Sequence, residues 1–136
     1  MATFQLSLTS PEKLLFEEQV EQVDLPGAEG DLGVLAGHAP IMTLLRPGLV
    51  TASNSTERLT FVVLGGIAEF SSEKLTILAE FASHVADFDV AEFRARISEM
   101  EEGLAGMPVS EELDRAVARL DHYRSVEASL NAATAF

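Results

Sequence analysis

The sequence contains no cysteine, so disulfide bonds and thiolate zinc sites are both excluded. This absence favours a reducing compartment. The chain also has no run of about 20 apolar residues, the length that a membrane-spanning helix needs. Its first ten residues, MATFQLSLTS, have neither the basic start of a signal peptide nor the Arg-rich pattern of a transit peptide. We therefore expect an untargeted chain that does not span a bilayer.

Basic residues are scarce, because nine Lys and Arg stand against 22 Asp and Glu and give a net charge of -13. A surface this negative repels phosphate backbones and anionic lipid headgroups. The charge is spread evenly over both halves of the chain, so neither half is an acidic tail. We expect no nucleic-acid partner and no direct lipid binding.

Catalytic and metal-binding motifs are also missing. The three histidines, His38, His84 and His122, lie far apart and form no ligand-spaced pair. No nucleophile motif, P-loop or dinucleotide fingerprint occurs, and GAEGDLG at 27–33 is better explained as a turn between strands than as a phosphate loop. We expect no metal, no cofactor and no catalytic activity, and a binding or mechanical role instead.

What the sequence does contain is enough apolar residues, 47% of 136, to build a core. Over residues 1–86 these alternate with period two, as Phe4, Leu6 and Leu8 do, in short runs separated by Gly, Pro, Asn and Ser. Such runs predict an all-β sandwich or barrel. The pair Gly65–Gly66 inside one run predicts a bulge or a close backbone approach.

After Phe88 the apolar period changes to that of a helix. Asp89 is placed to cap a first helix over about 90–104, and GLAGMP at 103–108 ends it. Ser110 is placed to cap a second helix. A linker this short predicts an antiparallel two-helix hairpin. We therefore predict two domains, 1–86 and 87–136.

The segment GDLGVLAGHAP, residues 30–40, concentrates glycines, a histidine and a proline in an otherwise strand-like region. Its glycines permit positive φ and its proline fixes a turn, so it predicts a shaped loop at one end of the β domain. One interpretation is that His38 only bonds its own turn. The other is that the loop is a docking surface, since binding residues concentrate on loops held by a rigid sheet.

Two blocks carry a family resemblance: VDLPGAEGDLGVLAGHAPIMTLLRPG at 23–48 and LGGIAEFSSEKLTILAE at 64–80. With the helical pattern that follows, they resemble the epsilon subunit of bacterial F-type ATP synthases, which is equivalent to the mitochondrial delta subunit. The resemblance implies a mainly β plus α fold, a β-sandwich of about ten short strands followed by a helical hairpin. It also implies a non-catalytic rotor subunit of the central stalk.

The implied partners are the gamma subunit, the membrane rotor ring of c subunits, and the alpha and beta catalytic subunits through the hairpin. The implied location is the cytoplasmic face of the bacterial inner membrane, as a peripheral subunit. The resemblance places the contact with the rotor ring on six residues of the bottom loops: Glu29, Gly30, Asp31, His38, Ala39 and Pro40.

The helical hairpin departs from two regulatory patterns of that family. In some relatives ATP binds a motif with Asp three residues before an Arg-Ala pair, but VAEFRA at 90–95 has Ala91 in the Asp position and leaves Arg94 as a weak ATP candidate. Inhibitory relatives use a basic second helix. Here the candidate regulatory contacts Arg115, Arg119 and Arg124 are outnumbered by acidic residues, so we expect poor inhibition of ATP hydrolysis.

Two other functions fit the bulk properties. One is a free-standing β-sandwich adaptor whose hairpin binds helices of another protein. The other is a small ligand-binding barrel, which requires an open apolar cavity.

Overall fold

The computed structural model describes residues 2–134 and divides the chain into two compact units, one up to residue 87 and one from residue 88 onward. The elements are β1 (Phe4–Thr9), β2 (Leu14–Val20), β3 (Gln22–Gly27), β4 (Gly30–Leu35), β5 (Ile41–Ser53), β6 (Arg58–Ser71), β7 (Lys74–Ala79), β8 (Ala82–His84), a 3-10 turn (Val85–Asp87), α1 (Val90–Leu104) and α2 (Glu111–Thr134).

The strands of the first unit are joined in the order β2-β1-β7-β6-β5-β3-β4, and β8 pairs with β6. Neighbours are antiparallel except β1 and β7, which are parallel. Strand β7 pairs with the C-terminal half of β6, whereas β8 pairs with its N-terminal half at Phe61–Val63. The strands enclose one apolar core, as expected for the predicted β-sandwich.

The described residues form eight strands rather than about ten. The difference lies in β5 and β6, which have 13 and 14 residues and run unbroken where the sequence predicts separate strands. A bend in β6 at Gly65 and Gly66 makes this possible, because their φ angles are +101° and +145°. A Cβ on Gly66 would lie 2.8 Å from the Cα of Ala79, so the predicted close backbone approach is confirmed.

Alternate residues of the strands point inward and form one apolar core. Its centre includes an edge-to-face pair of aromatic rings, Phe4 and Phe70, with centroids 5.5 Å apart. Phe16 and Phe61 form a second pair at 5.4 Å. Burial of the inward residues fixes the register of the strands, since a slip by one residue would expose them.

The second unit is the predicted antiparallel helical hairpin. The Asp89 carboxylate accepts the Glu92 amide at 2.9 Å at the start of α1, and the Ser110 hydroxyl oxygen accepts the Leu113 amide at 3.2 Å at the start of α2. Both caps are those that the sequence predicts. Where the structure describes the side chains of this unit, the buried ones are Phe93, Ile97, Leu120, Tyr123, Val126 and Leu130.

Candidate functional site

The first group of predicted docking residues, Glu29 to Asp31, lies at the tight hairpin between β3 and β4. Arg46 of β5 holds this hairpin, because its guanidinium donates to the Gly27 carbonyl and forms an ion pair with the Asp31 carboxylate. The Asp31 side chain is mostly exposed and the Arg46 side chain mostly covered. Glu29 is exposed at the tip, so it presents a carboxylate to solvent.

The second group, His38 to Pro40, lies in the loop between β4 and β5. The His38 amide donates to the Leu35 carbonyl at 3.1 Å. The His38 Nδ1 lies 2.6 Å from the Ala39 carbonyl oxygen and must donate to it, since a carbonyl only accepts. The imidazole also packs edge-to-face against Phe70, with centroids 5.8 Å apart. The loop is therefore held by hydrogen bonds within it and by packing against Phe70 of β6.

The two groups lie at opposite ends of the six-residue strand β4. At a rise of about 3.3 Å per residue they are separated by roughly 17 Å along that strand. The first half of β5 connects them, since Ile41 follows the loop and the Leu44 carbonyl accepts the Ala28 amide of the hairpin at 2.8 Å. The predicted docking residues thus border one edge of the β unit without forming one continuous loop.

Beside this edge lies an apolar stripe that sequence reasoning missed. Leu44 of β5 pairs with Ile67 of β6, which pairs with Leu78 of β7, so the three side chains are neighbours across three strands. They are 62%, 41% and 57% exposed. The signal was available in the adjacent apolar pairs Leu44–Leu45 and Ile77–Leu78, because one member of each pair must face outward.

The stripe forms the apolar side of an open groove of about 430 Å³. The turn after β1 supplies the other wall, and the groove is lined by Thr9, Ser10, Pro11, Leu44, Gly66, Ile67, Leu78, Ala79 and Glu80. A contiguous exposed apolar surface of this kind is typical of a protein–protein interface.

The arginines named for regulation are engaged inside the hairpin. Arg94 donates to Glu127 at 3.2 Å and to Asn131 at 2.9 Å, across the two helices. Arg124 forms a second cross-helix ion pair with Glu101 at 2.9 Å, and this hydrogen bond raises the pKa of its guanidinium above the usual value.

The other two arginines have partners on their own helix. Arg119 donates to the Tyr123 hydroxyl at 3.2 Å, and its guanidinium carbon lies 5.5 Å from the centre of that ring. Arg115 lies 4.0 Å from Glu111. Each of the four arginines therefore contacts another side chain of the hairpin.

The described residues bring no three His, Asp or Glu side chains together as a metal site. Within the same residues no helix is both long enough and apolar enough to cross a bilayer. The candidate functional features of the described residues are the two loops, the apolar stripe and the paired charges of the hairpin.

Comparison with known proteins decides what kind of protein carries these features. The family model described as "ATP synthase, Delta/Epsilon chain, beta-sandwich domain" matches residues 3–85. The chain belongs to this family. The resemblance drawn from the two sequence blocks is therefore confirmed, and the delta/epsilon chain is a subunit of ATP synthase and not itself an enzyme.

Relatives of this delta/epsilon chain extend the match beyond the β-sandwich. The "ATP synthase epsilon chain 2" of Nitrobacter hamburgensis is 59% identical over 136 residues and each chain is fully covered. The "ATP synthase epsilon chain" of Rhodopseudomonas palustris strain BisB18 is 57% identical over 132 residues, with 97% of each chain covered.

Solved structures show the same fold as the delta/epsilon chain. A chain in the mitochondrial ATP synthase of Euglena gracilis, in a structure titled OSCP/F1/c-ring, matches with a TM-score of 0.80, 23% identity and coverage of 96% of this chain and 82% of that one. A chain from the Tetrahymena thermophila central stalk and c-ring matches with a TM-score of 0.67, 18% identity and coverage of 96% and 95%.

Proposed function

We propose that this chain is the rotor subunit of the central stalk in a proton-translocating F-type ATP synthase, where it couples the ring of c subunits to the gamma subunit and the catalytic head. The single observation that carries the proposal is the apolar stripe, an exposed surface on a delta/epsilon β-sandwich beside two ordered loops. A rigid sandwich suits this task, because close-packed interiors transmit strain.

The stripe of Leu44, Ile67 and Leu78 is the surface that binds the gamma subunit. Burying a fully exposed Leu or Ile contributes about 1.5–3 kcal/mol, and these three side chains are about half exposed, so together they can contribute roughly 2–4 kcal/mol at the centre of an interface. The stripe lies on three hydrogen-bonded strands and needs no rearrangement to bind. This preorganisation lowers the entropic cost of association.

The edge formed by Glu29 to Asp31 and His38 to Pro40 contacts the rotor ring. Glu29 supplies an exposed carboxylate, while Asp31 is paired with Arg46 and His38 is turned onto its own loop. We therefore expect the ring to meet the exposed carboxylate of Glu29, the exposed but Arg46-paired carboxylate of Asp31, and a fixed backbone shape. The location that follows is the cytoplasmic face of the bacterial inner membrane, reached through protein contacts, since a net charge of -13 disfavours anionic lipid.

In this proposal the β domain, residues 1–86, docks on the gamma subunit and the rotor ring. The helical domain, residues 87–136, contacts the catalytic alpha and beta subunits and regulates ATP hydrolysis weakly. Arg94 is committed to Glu127 and Asn131, and Ala91 supplies no carboxylate, which argues against ATP binding. Arg115, Arg119 and Arg124 already contact hairpin side chains, which leaves little basic surface for an acidic target.

Deleting residues 88–136 from the assembled enzyme should leave its ATP hydrolysis rate nearly unchanged; a sharp increase would contradict weak regulation.

Binding of the full chain to purified gamma subunit from the same organism tests the stripe. Leu78→Asp places a charge at the β7 end of the stripe without reaching the core, and we expect the affinity of the chain for gamma to fall about tenfold or more. Val109→Asp is the matched control, because Val109 is 95% exposed and lies in the linker between the helices. Equal affinities of wild type and Leu78→Asp would show that gamma binds elsewhere.

A further inference from the structure

The loop that carries His38 is held by a residue far away in sequence. The backbone amide of Gly37 donates to both carboxylate oxygens of Glu73, to Oε1 at 3.0 Å and to Oε2 at 3.3 Å. Glu73 lies in the two-residue turn between β6 and β7, 36 positions along the chain. A hydrogen bond to an ionised acceptor is stronger than one between neutral groups.

The backbone at both ends of this contact is unusual. Gly37 has φ +83°, and the turn residues Ser72 and Glu73 have φ 53° and 60°. A hairpin turn with two positive φ angles favours Asn-Gly, so a Ser-Glu pair is poorly suited to it. The turn would be better served by glycine at position 73, but glycine would remove the carboxylate that reaches Gly37.

Glu73 is itself fixed from the other side. Its backbone carbonyl accepts the Gln5 amide of β1 at 3.0 Å, and the next residue, Lys74, pairs with Gln5 in the parallel register of β1 and β7. The carboxylate therefore projects from a turn that is tied to a central strand pair. Phe70, two residues before the turn, packs against the His38 ring. The end of the β6–β7 hairpin thus contacts the loop at two successive residues.

The geometry points to Glu73 as the positioning residue of the His38 loop: its carboxylate clamps the Gly37 amide and fixes the shape in which His38, Ala39 and Pro40 are offered to the rotor ring. This role rests on the proposed docking of that loop. Glu73 makes no contact with the ring in this scheme and acts through Gly37. A carboxylate at position 73 fixes the His38 loop, whereas a glycine there would stabilise the β6–β7 turn. The order of the loop and the stability of the turn therefore favour different residues at position 73.

Two substitutions in the same turn separate the effect of the Glu73 carboxylate on the loop from the effect of backbone strain on the turn. Glu73→Gly removes the carboxylate and relieves the backbone, whereas Ser72→Gly relieves the same turn and keeps the carboxylate. We expect both variants to melt at or above the wild-type temperature. In the full chain, amide hydrogen exchange followed by NMR should accelerate at Gly37 by about tenfold in Glu73→Gly only. Unchanged exchange at Gly37 in Glu73→Gly would overturn the clamp.

The second readout is binding of each variant to the isolated rotor ring in detergent, with His38→Ala as the reference for loss of the loop surface. The positioning role requires weaker binding by both Glu73→Gly and His38→Ala and wild-type binding by Ser72→Gly. Weaker binding by His38→Ala alone would overturn the role of Glu73 and leave the docking loop intact. Wild-type binding by all three would contradict the docking loop itself, and the role of Glu73 with it.

Discussion

The bend of β6 at Gly66 gives the sharpest test of how this sandwich is built. In Gly66→Ala the new Cβ would lie 2.8 Å from the Cα of Ala79 and 3.2 Å from the carbonyl carbon of Leu78. The φ of +145° adds a conformation that side chains rarely adopt. Strained backbone costs about 1–3 kcal/mol and overpacking a further 1–3 kcal/mol, so we expect a loss of about 2–6 kcal/mol.

A loss of 1 kcal/mol lowers the melting temperature of a domain of 60–100 residues by about 4–8 °C, so the β unit should melt about 10 °C lower or more. Differential scanning calorimetry measures the shift. Hydrogen–deuterium exchange mass spectrometry assigns it to the β strands, while fluorescence of Tyr123, the one tyrosine of the chain, follows the hairpin.

The matched control is Gly103→Ala in α1, where an added Cβ meets nothing within 4 Å. This change should stabilise the hairpin by roughly 0.5–1 kcal/mol, because glycine is a poor helix former. A loss below about 1 kcal/mol in Gly66→Ala would refute the reasoning, since neither the clash nor the φ angle would then carry its expected cost.

Three further outcomes are expected from other parts of the structure. Phe93→Ala removes a buried ring stacked 5.1 Å from Tyr123 and should destabilise the hairpin by about 3–5 kcal/mol, seen as loss of helical circular dichroism with the β strands still protected from exchange. Raising NaCl to about 1 M should shift the melting temperature of the hairpin downward relative to the shift in Glu101→Ala, because salt screens the half-exposed ion pair of Arg124 and Glu101 that only the wild type has; equal shifts in the two proteins would show that the pair contributes nothing. Arg46→Ala should accelerate amide exchange in the β3–β4 hairpin. Unchanged exchange there would show that the contacts of Arg46 with Gly27 and Asp31 do not hold the hairpin.

The helices could be predicted from the sequence because their signals are local. The apolar period, the Asp89 cap and the Ser110 cap all act within a few residues, and α1 covers Val90–Leu104 as predicted. The close backbone approach at Gly65–Gly66 could also be predicted, since a backbone that lies against another strand leaves no room for a side chain.

The contacts that shape the candidate site could not be predicted in the same way. The ion pair of Arg46 with Asp31 and the hydrogen bond of Gly37 to Glu73 join residues 15 and 36 positions apart. Both depend on strand order and register, which are set by burial over the whole sheet. The stripe depends on register too, because Leu44, Ile67 and Leu78 become neighbours only when three strands are aligned.

The continuous strands β5 and β6 show a further limit of the sequence pattern. Pro47, Gly48 and the glycine pair of β6 look like breaks between strands, yet β5 and β6 stay paired on both sides of them. Glycine and proline signal a change of direction, and whether a strand ends or bends there depends on its partner.

Native mass spectrometry of the complex that carries this chain tests whether the chain is part of the rotor. The tagged chain would be expressed in a bacterium close to the sources of its relatives, and the membranes solubilised gently before purification. We expect one copy of the chain together with gamma, the catalytic subunits and the ring of c subunits. Recovery of the chain alone, or with unrelated proteins, would contradict a role in the rotor and favour a free-standing adaptor.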